Sequence, residues 1–110
     1  MHANQVILQY FEGCPNWQLA AGRVREVLAA AGLSGEVDVA YQAVESSEEA
    51  ERVGFRGSPT ILIDGRDPWA ETAGGPGLSC RIYRTEAGAE GSPSLEQLAA
   101  ALGAQRQPGK

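Results

Sequence analysis

Short apolar runs alternate with stretches of helical periodicity along most of this chain. Residues 5–11 (QVILQYF) form a β-rich apolar run that stops at residues 12–13, which predicts a strand buried on both faces. Pro15 then suits the first helical position. Apolar residues recur at spacings of three and four until Gly32, namely Trp17, Ala20, Ala21, Val24, Val27, Leu28 and Ala31. This pattern predicts an amphipathic helix directly after the strand.

A second strand and helix follow. Residues 37–42 (VDVAYQ) alternate apolar and polar side chains, as a half-buried strand does. Residues 46–49 (SSEE) have the spacing of a capping box and predict a short helix. That helix is expected to reach Val53 and to be closed by Gly54.

Two further strands are predicted in the second half of the chain. Residues 60–63 (TILI) are entered through residues 57–59 (GSP) and left through Asp64-Gly65, which is typical of a hairpin exit. Residues 80–84 (CRIYR) read as the fourth strand.

A final helix is predicted near the C-terminus. Ser94 and Gln97 have the spacing of a second capping box. The stripe Leu95, Leu98, Ala99 and Leu102 then leads to Gly103. The predicted order is β, α, β, α, β, β, α, in one domain over residues 1–103 with a loose tail at 104–110.

Length and charge narrow the function classes. A chain of 110 residues fits one domain of ordinary size. Its net charge of -5 argues against nucleic acid as a partner. Apolar runs such as residues 98–102 are far shorter than the roughly 20 residues that a membrane helix needs. Because the start of the chain shows no secretory signal, we expect a cytoplasmic protein.

The residues available for chemistry are few. Two cysteines, Cys14 and Cys80, are too few for a disulfide scaffold. The single histidine, His2, lies near the terminus, so a Cys-His dyad and a zinc site are not expected. We therefore expect no metal.

Two motifs carry a resemblance to a known family. Residues 13–17 (GCPNW) stand where the first strand meets the first helix, and residues 57–60 (GSPT) precede the third strand. Together they resemble the active-site motif and the cis-proline motif of the thioredoxin-fold family. The resemblance implies an α/β fold with a central mixed four-stranded sheet flanked by three helices. Residues 66–79 would then be an inserted loop before the last strand.

Cys14 is the candidate nucleophile. A cysteine just before a helix faces unpaired N–H groups and the positive end of the helix dipole, which favours the thiolate. The resemblance implies that Ser58 and Pro59, joined by a cis bond, dock an extended thiol substrate. A buried structural cysteine and a trans proline are the plainer alternatives.

Trp17 occupies the place where the family has its second cysteine. A mixed disulfide at Cys14 would then be resolved by a small thiol or by Cys80, or the site would bind without turnover. Trp17 itself could stack on a substrate or simply pack in the core.

The role of Cys80 depends on geometry. If residues 60–63 and 80–84 pair as an antiparallel ribbon, Cys80 lies roughly 13 Å from Pro59. That separation argues against a bond to Cys14 without loop movement, because a disulfide needs Cα atoms within about 7 Å. A resolving thiol, a buried structural thiol and an intermolecular or metal-linked thiol all stay open.

The sequence thus predicts a thiol-disulfide oxidoreductase that acts through Cys14 on a small thiol or a protein disulfide, with no cofactor beyond a small thiol. One alternative is a thiolate module for a soft metal or metalloid. Another is a redox-inactive scaffold that binds partners at Ser58-Pro59 and the inserted loop. The oligomeric state is left open.

Overall fold

The structure, a computed structural model, describes residues 2–70, 78 and 80–103. Its elements in chain order are β1 (Gln5–Tyr10), α1 (Asn16–Ala30), β2 (Asp38–Ala43), α2 (Ser47–Val53), β3 (Thr60–Ile63), β4 (Tyr83–Thr85), β5 (Gly88–Glu90) and α3 (Leu95–Leu102). Most of the inserted loop predicted at 66–79 and all of the tail predicted at 104–110 lie outside the described residues.

The main sheet has three strands in the order β2-β1-β3. β1 runs parallel to β2, with Val6 opposite Val39, and antiparallel to β3, with Leu8 opposite Ile61. Val6, Leu8 and Ile61 are fully buried, as the apolar run of the first strand predicts. The core therefore lies against the middle strand.

The predicted four-stranded central sheet is wrong. The segment that begins at Cys80 makes one isolated parallel bridge, to Ser58, and then departs from β3. β4 pairs with β5 in a separate two-stranded sheet, and β5 had not been predicted. The physical reason is the burial pattern. This segment buries the side chains of Arg81 and Tyr83 and leaves Ile82 57 % exposed. The apolar side chain of Ile82 therefore does not face the core of the main sheet.

The helix starts follow the predicted capping signals with one difference. Ser46 caps α2 by accepting from the Glu49 N–H, but the Glu49 carboxylate accepts from the Glu45 N–H rather than from that of Ser46. The capping box at α3 is complete, because Ser94 and Gln97 each accept from the other's backbone N–H.

The exit from β3 is a tight turn, as predicted. Ile63 and Arg66 exchange both backbone hydrogen bonds across it. Asp64 and Gly65 have φ of 51° and 84°, a left-handed conformation that favours glycine at the second position. The Asp64 carboxylate also accepts from the backbone N–H groups of Asn4 and Gln5, which ties the turn to the start of β1.

Two helices close the core over the sheet. α1 and α3 pack on each other and bury Ala20, Ala21, Val24, Val27, Leu28, Leu98 and Leu102. A smaller cluster of Val44, Ala50 and Phe55 packs under α2. Within the described residues, no helix has the length and apolar character required to cross a membrane.

Candidate functional site

Cys14 lies in the connection from β1 to α1 and is completely buried. Its N–H donates to the Phe11 carbonyl at 3.2 Å. Pro15 is the N-cap, so the helix begins at Asn16, one residue later than predicted. The cysteine is thus placed at the start of a 15-residue helix, as the sequence pattern indicates.

Cys14 is bonded to Cys80 in a disulfide whose Cα atoms are 5.8 Å apart. The estimate that placed Cys80 roughly 13 Å from Pro59 is wrong, since it assumed an antiparallel ribbon. The observed bridge between Cys80 and Ser58 is parallel and lies before β3 begins, at the end nearest Cys14. The two cysteines differ in burial, because Cys80 is exposed to solvent.

Ser58 and Pro59 are joined by a cis bond, as predicted. The Ser58 carbonyl oxygen is 3.6 Å from Sγ of Cys14 and also accepts from the Arg81 N–H at 2.9 Å. This carbonyl, expected to pair with a substrate, is therefore already bonded within the chain. The Ser58 hydroxyl is buried and has no hydrogen-bond partner among the described residues.

Arg81 is a site residue that the sequence reasoning missed. Its side chain is buried, and its two terminal nitrogens bond both carboxylate oxygens of Asp67, at 2.8 and 3.3 Å. It also donates to the Trp69 carbonyl at 2.7 Å. A bidentate guanidinium–carboxylate pair of this kind holds both partners in one geometry. Arg81 therefore anchors the backbone that follows Cys80.

Tyr83 provides a second anchor for the same segment. Its ring is buried, lies 4.7 Å from the Arg81 guanidinium and meets Trp69 edge-on. Its hydroxyl donates to the Pro59 carbonyl. Burial raises the pKa of the Tyr83 phenol far above its ordinary value, with Arg81 lowering it and Asp67 raising it. The phenol thus stays protonated and remains a donor to the cis-proline segment.

Trp17 lies in the first turn of α1 and belongs to an aromatic group. Its ring stacks on Tyr10 with centroids 4.2 Å apart and meets Tyr41 edge-on at 6.3 Å. Tyr10, Trp17 and Tyr41 line a surface groove of about 530 Å³ together with Gln18, Ala21 and Arg25. The structure thus gives Trp17 a packing role, and its predicted role toward a substrate stays a prediction.

The described residues contain no group of three or more His, Cys, Asp or Glu side chains placed to hold a metal ion. Two cysteines alone cannot complete the four-coordinate shell of a structural zinc.

Comparisons with protein-family models, with curated proteins and with solved structures find no match to this chain. The resemblance to the thioredoxin-fold family therefore depends on the two motifs themselves.

Proposed function

We propose that this protein is a thiol-disulfide oxidoreductase of the thioredoxin-like class in which Cys14 and Cys80 form the redox pair. One observation carries the proposal: a buried cysteine at a helix start is bonded to an exposed cysteine beside a cis-proline. Because Cys80 is an exposed residue, an external thiol can approach it, and the helix start favours the thiolate of Cys14.

In the Cys14–Cys80 pair, Cys80 takes the place of the second cysteine that the family pattern has at position 17. In the family pattern the second thiol follows three residues after the first, where this chain has Trp17. Here the second thiol comes instead from the segment that runs beside Ser58. The cycle is balanced without a further cofactor: the reduced pair gives two electrons and two protons to a substrate disulfide, which leaves as two thiols while the Cys14–Cys80 bond forms.

A structural disulfide is the plain alternative and makes a different prediction. Structural disulfides resist reduction by the glutathione pool, whereas catalytic ones exchange readily. A cytoplasmic location stays a prediction, and in that compartment a persistent disulfide would be unusual while a transient, catalytic one is typical.

Equilibration in glutathione redox buffers tests the proposal. We expect the chain to pass between oxidised and reduced forms within minutes, and the reduced form to turn over an aromatic disulfide with glutathione as reductant. Cys14→Ser and Cys80→Ser should each abolish the intramolecular bond, and Ser34→Ala, in an exposed turn, is the matched control. A disulfide that stays intact for hours in millimolar glutathione would contradict the proposal.

A soft-metal site is the second candidate, favoured by the 5.8 Å separation of the two Cα atoms. The sequence estimate argued against this candidate because it placed the cysteines too far apart. Two adjacent thiolates suit a soft cation such as Cu(I) in linear coordination. Binding of one Cu(I) per reduced chain, lost in Cys14→Ser and in Cys80→Ser, would support this candidate. If the reduced chain cannot hold Cu(I) in competition with a Cu(I) chelator, this candidate fails.

The scaffold alternative receives no support from the site. Its expected binding edge at Ser58 is bonded to the chain's own Arg81.

A further inference from the structure

We propose that exchange at this disulfide begins at Sγ of Cys80, that Cys14 is the leaving and resolving sulfur, and that the attacking group is a low-molecular-weight thiol. This inference rests on the proposed function and reverses the roles that the sequence alone suggests for the two cysteines.

Access distinguishes the two sulfurs. A thiolate exchanges only with a sulfur that it can reach, so the rate depends on which sulfur is open. Cys14 is 0 % exposed, enclosed between the end of β1, the start of α1 and Ser58. Cys80 is exposed. An external thiol therefore meets Cys80 first.

The relative ability of the two sulfurs to leave also favours attack at Cys80. In thiol-disulfide exchange, the sulfur that carries negative charge more easily leaves faster. Attack on Cys80 expels Cys14, which lies at the start of the 15-residue helix α1, where the dipole favours the anion. Attack on Cys14 would instead expel Cys80, which belongs to no helix.

The anchoring of the Cys80 segment limits the size of the attacking group. An extended peptide could add as a strand only where backbone groups are free. Beside Pro59 the Ser58 carbonyl already accepts from Arg81, whose side chain is buried on Asp67, and Tyr83 bonds the Pro59 carbonyl. None of these bonds involves the disulfide, so we expect them to persist after reduction. A small thiol needs no strand pairing and can approach Cys80 from solvent.

The chemistry balances with the thiol as reductant. A thiolate RS⁻ attacks Sγ of Cys80, the R–S–S–Cys80 bond forms, the Cys14–Cys80 bond breaks, and its electron pair leaves on Cys14. A second RS⁻ attacks the RS sulfur of the mixed disulfide, releasing RSSR and the Cys80 thiolate. Two thiols are oxidised and the protein disulfide is reduced. In the reverse direction Cys80 attacks RSSR and Cys14 resolves the mixed disulfide.

Mapping the mixed disulfide tests this order. The oxidised wild-type chain is mixed with glutathione and quenched in acid at intervals shorter than the minutes that equilibration takes, its free thiols are alkylated, and its peptides are identified by mass spectrometry. We expect glutathione on Cys80 and the alkyl group on Cys14, in at least about tenfold excess over the reverse product, because access and leaving group act together. A ratio near one, or an excess on Cys14, overturns the inference while leaving the proposed function intact.

Two further measurements complete the test. The same reaction in urea exposes both sulfurs and melts α1, so the preference should disappear there; a preference that survives in urea overturns the argument from burial. A cysteine-containing unstructured peptide should reduce the folded chain no faster than glutathione does, and a faster peptide reaction overturns the assignment to small thiols. If no exchange occurs with any thiol, the proposed function itself fails.

Discussion

The backbone N–H of Arg81 donates to the Ser58 carbonyl oxygen across 2.9 Å, so the residue after one cysteine is held against the residue before the cis-proline. The same carbonyl oxygen is 3.6 Å from Sγ of the other cysteine. The hydrogen bond between Arg81 and Ser58 thus frames the disulfide without depending on the S–S bond. We expect that frame to keep the two sulfur atoms close after reduction.

Reduction should lower stability without unfolding the chain. The disulfide closes a loop across a sequence separation of 66 residues, for which the chain-entropy model gives about 4 kcal/mol. We expect urea unfolding of the reduced protein to show a free energy of unfolding lower by about that amount. The double variant Cys14→Ser/Cys80→Ser should match the reduced protein and should not respond to reductant.

The buried ion pair between Arg81 and Asp67 should contribute more to the free energy of unfolding than an exposed ion pair does. Asp67→Asn leaves the buried Arg81 guanidinium uncompensated and should lower the free energy of unfolding by about 3 kcal/mol. Arg52→Gln, which breaks an exposed pair with Glu49, is the matched control and should change it by less than about 0.5 kcal/mol. Equal effects in urea unfolding would show that the buried pair is no anchor.

The raised pKa of Tyr83 predicts that the protein loses stability at alkaline pH. Its pKa is raised by burial, so the folded state holds the proton over a pH range in which the unfolded phenol loses it. Its contribution is therefore complete below the unfolded pKa of about 10 and falls as pH rises beyond it. Tyr83→Phe should be less stable at neutral pH by about 1 kcal/mol, through the lost hydrogen bond to Pro59.

The measurement for Tyr83 is a series of urea midpoints at increasing pH. Between pH about 9 and about 11 the wild type should lose more stability than Tyr83→Phe does. Tyr41→Phe, at an exposed position, is the control and should follow the wild type. Parallel curves for the wild type and Tyr83→Phe would contradict the assignment.

Substitution of Trp17 distinguishes a role in packing from a role in substrate binding. Because the ring is partly exposed and stacks on Tyr10, Trp17→Ala should lower the free energy of unfolding by about 2 kcal/mol, roughly half the value for a fully buried ring. The rate of reduction by glutathione should change less than about twofold, since entry is at Cys80. A tenfold slower reaction in a folded Trp17→Ala would assign the ring a substrate role.

The elements with strong local signals could be predicted from the sequence. The stripe of α1, the capping box at Ser94, the apolar run of β1 and the turn at Asp64-Gly65 each depend on neighbouring residues. The position of Cys14 follows directly, because it depends only on where one strand ends and one helix starts.

The other half of the site depends on contacts that no local pattern encodes. Cys80 follows a glycine-rich connection that sets no register, so the direction in which the segment meets Ser58 could not be read. The pair of Arg81 and Asp67 joins residues from the two sides of that connection. β5 has only three residues, Gly88–Glu90, and no buried position, so it shows no alternation.

The bond between Cys14 and Cys80 also divides the chain topologically. It closes a covalent ring that contains α1, β2, α2 and β3, while β1 lies before the ring and α3 after it. A force applied to the two termini would therefore be carried across the ring through the sulfur atoms, and the ring's own residues would stay slack. Opening the bond adds their length to the stretched chain, a gain of roughly 230 Å at about 3.5 Å per residue. The oxidation state thus sets how far this molecule can be extended.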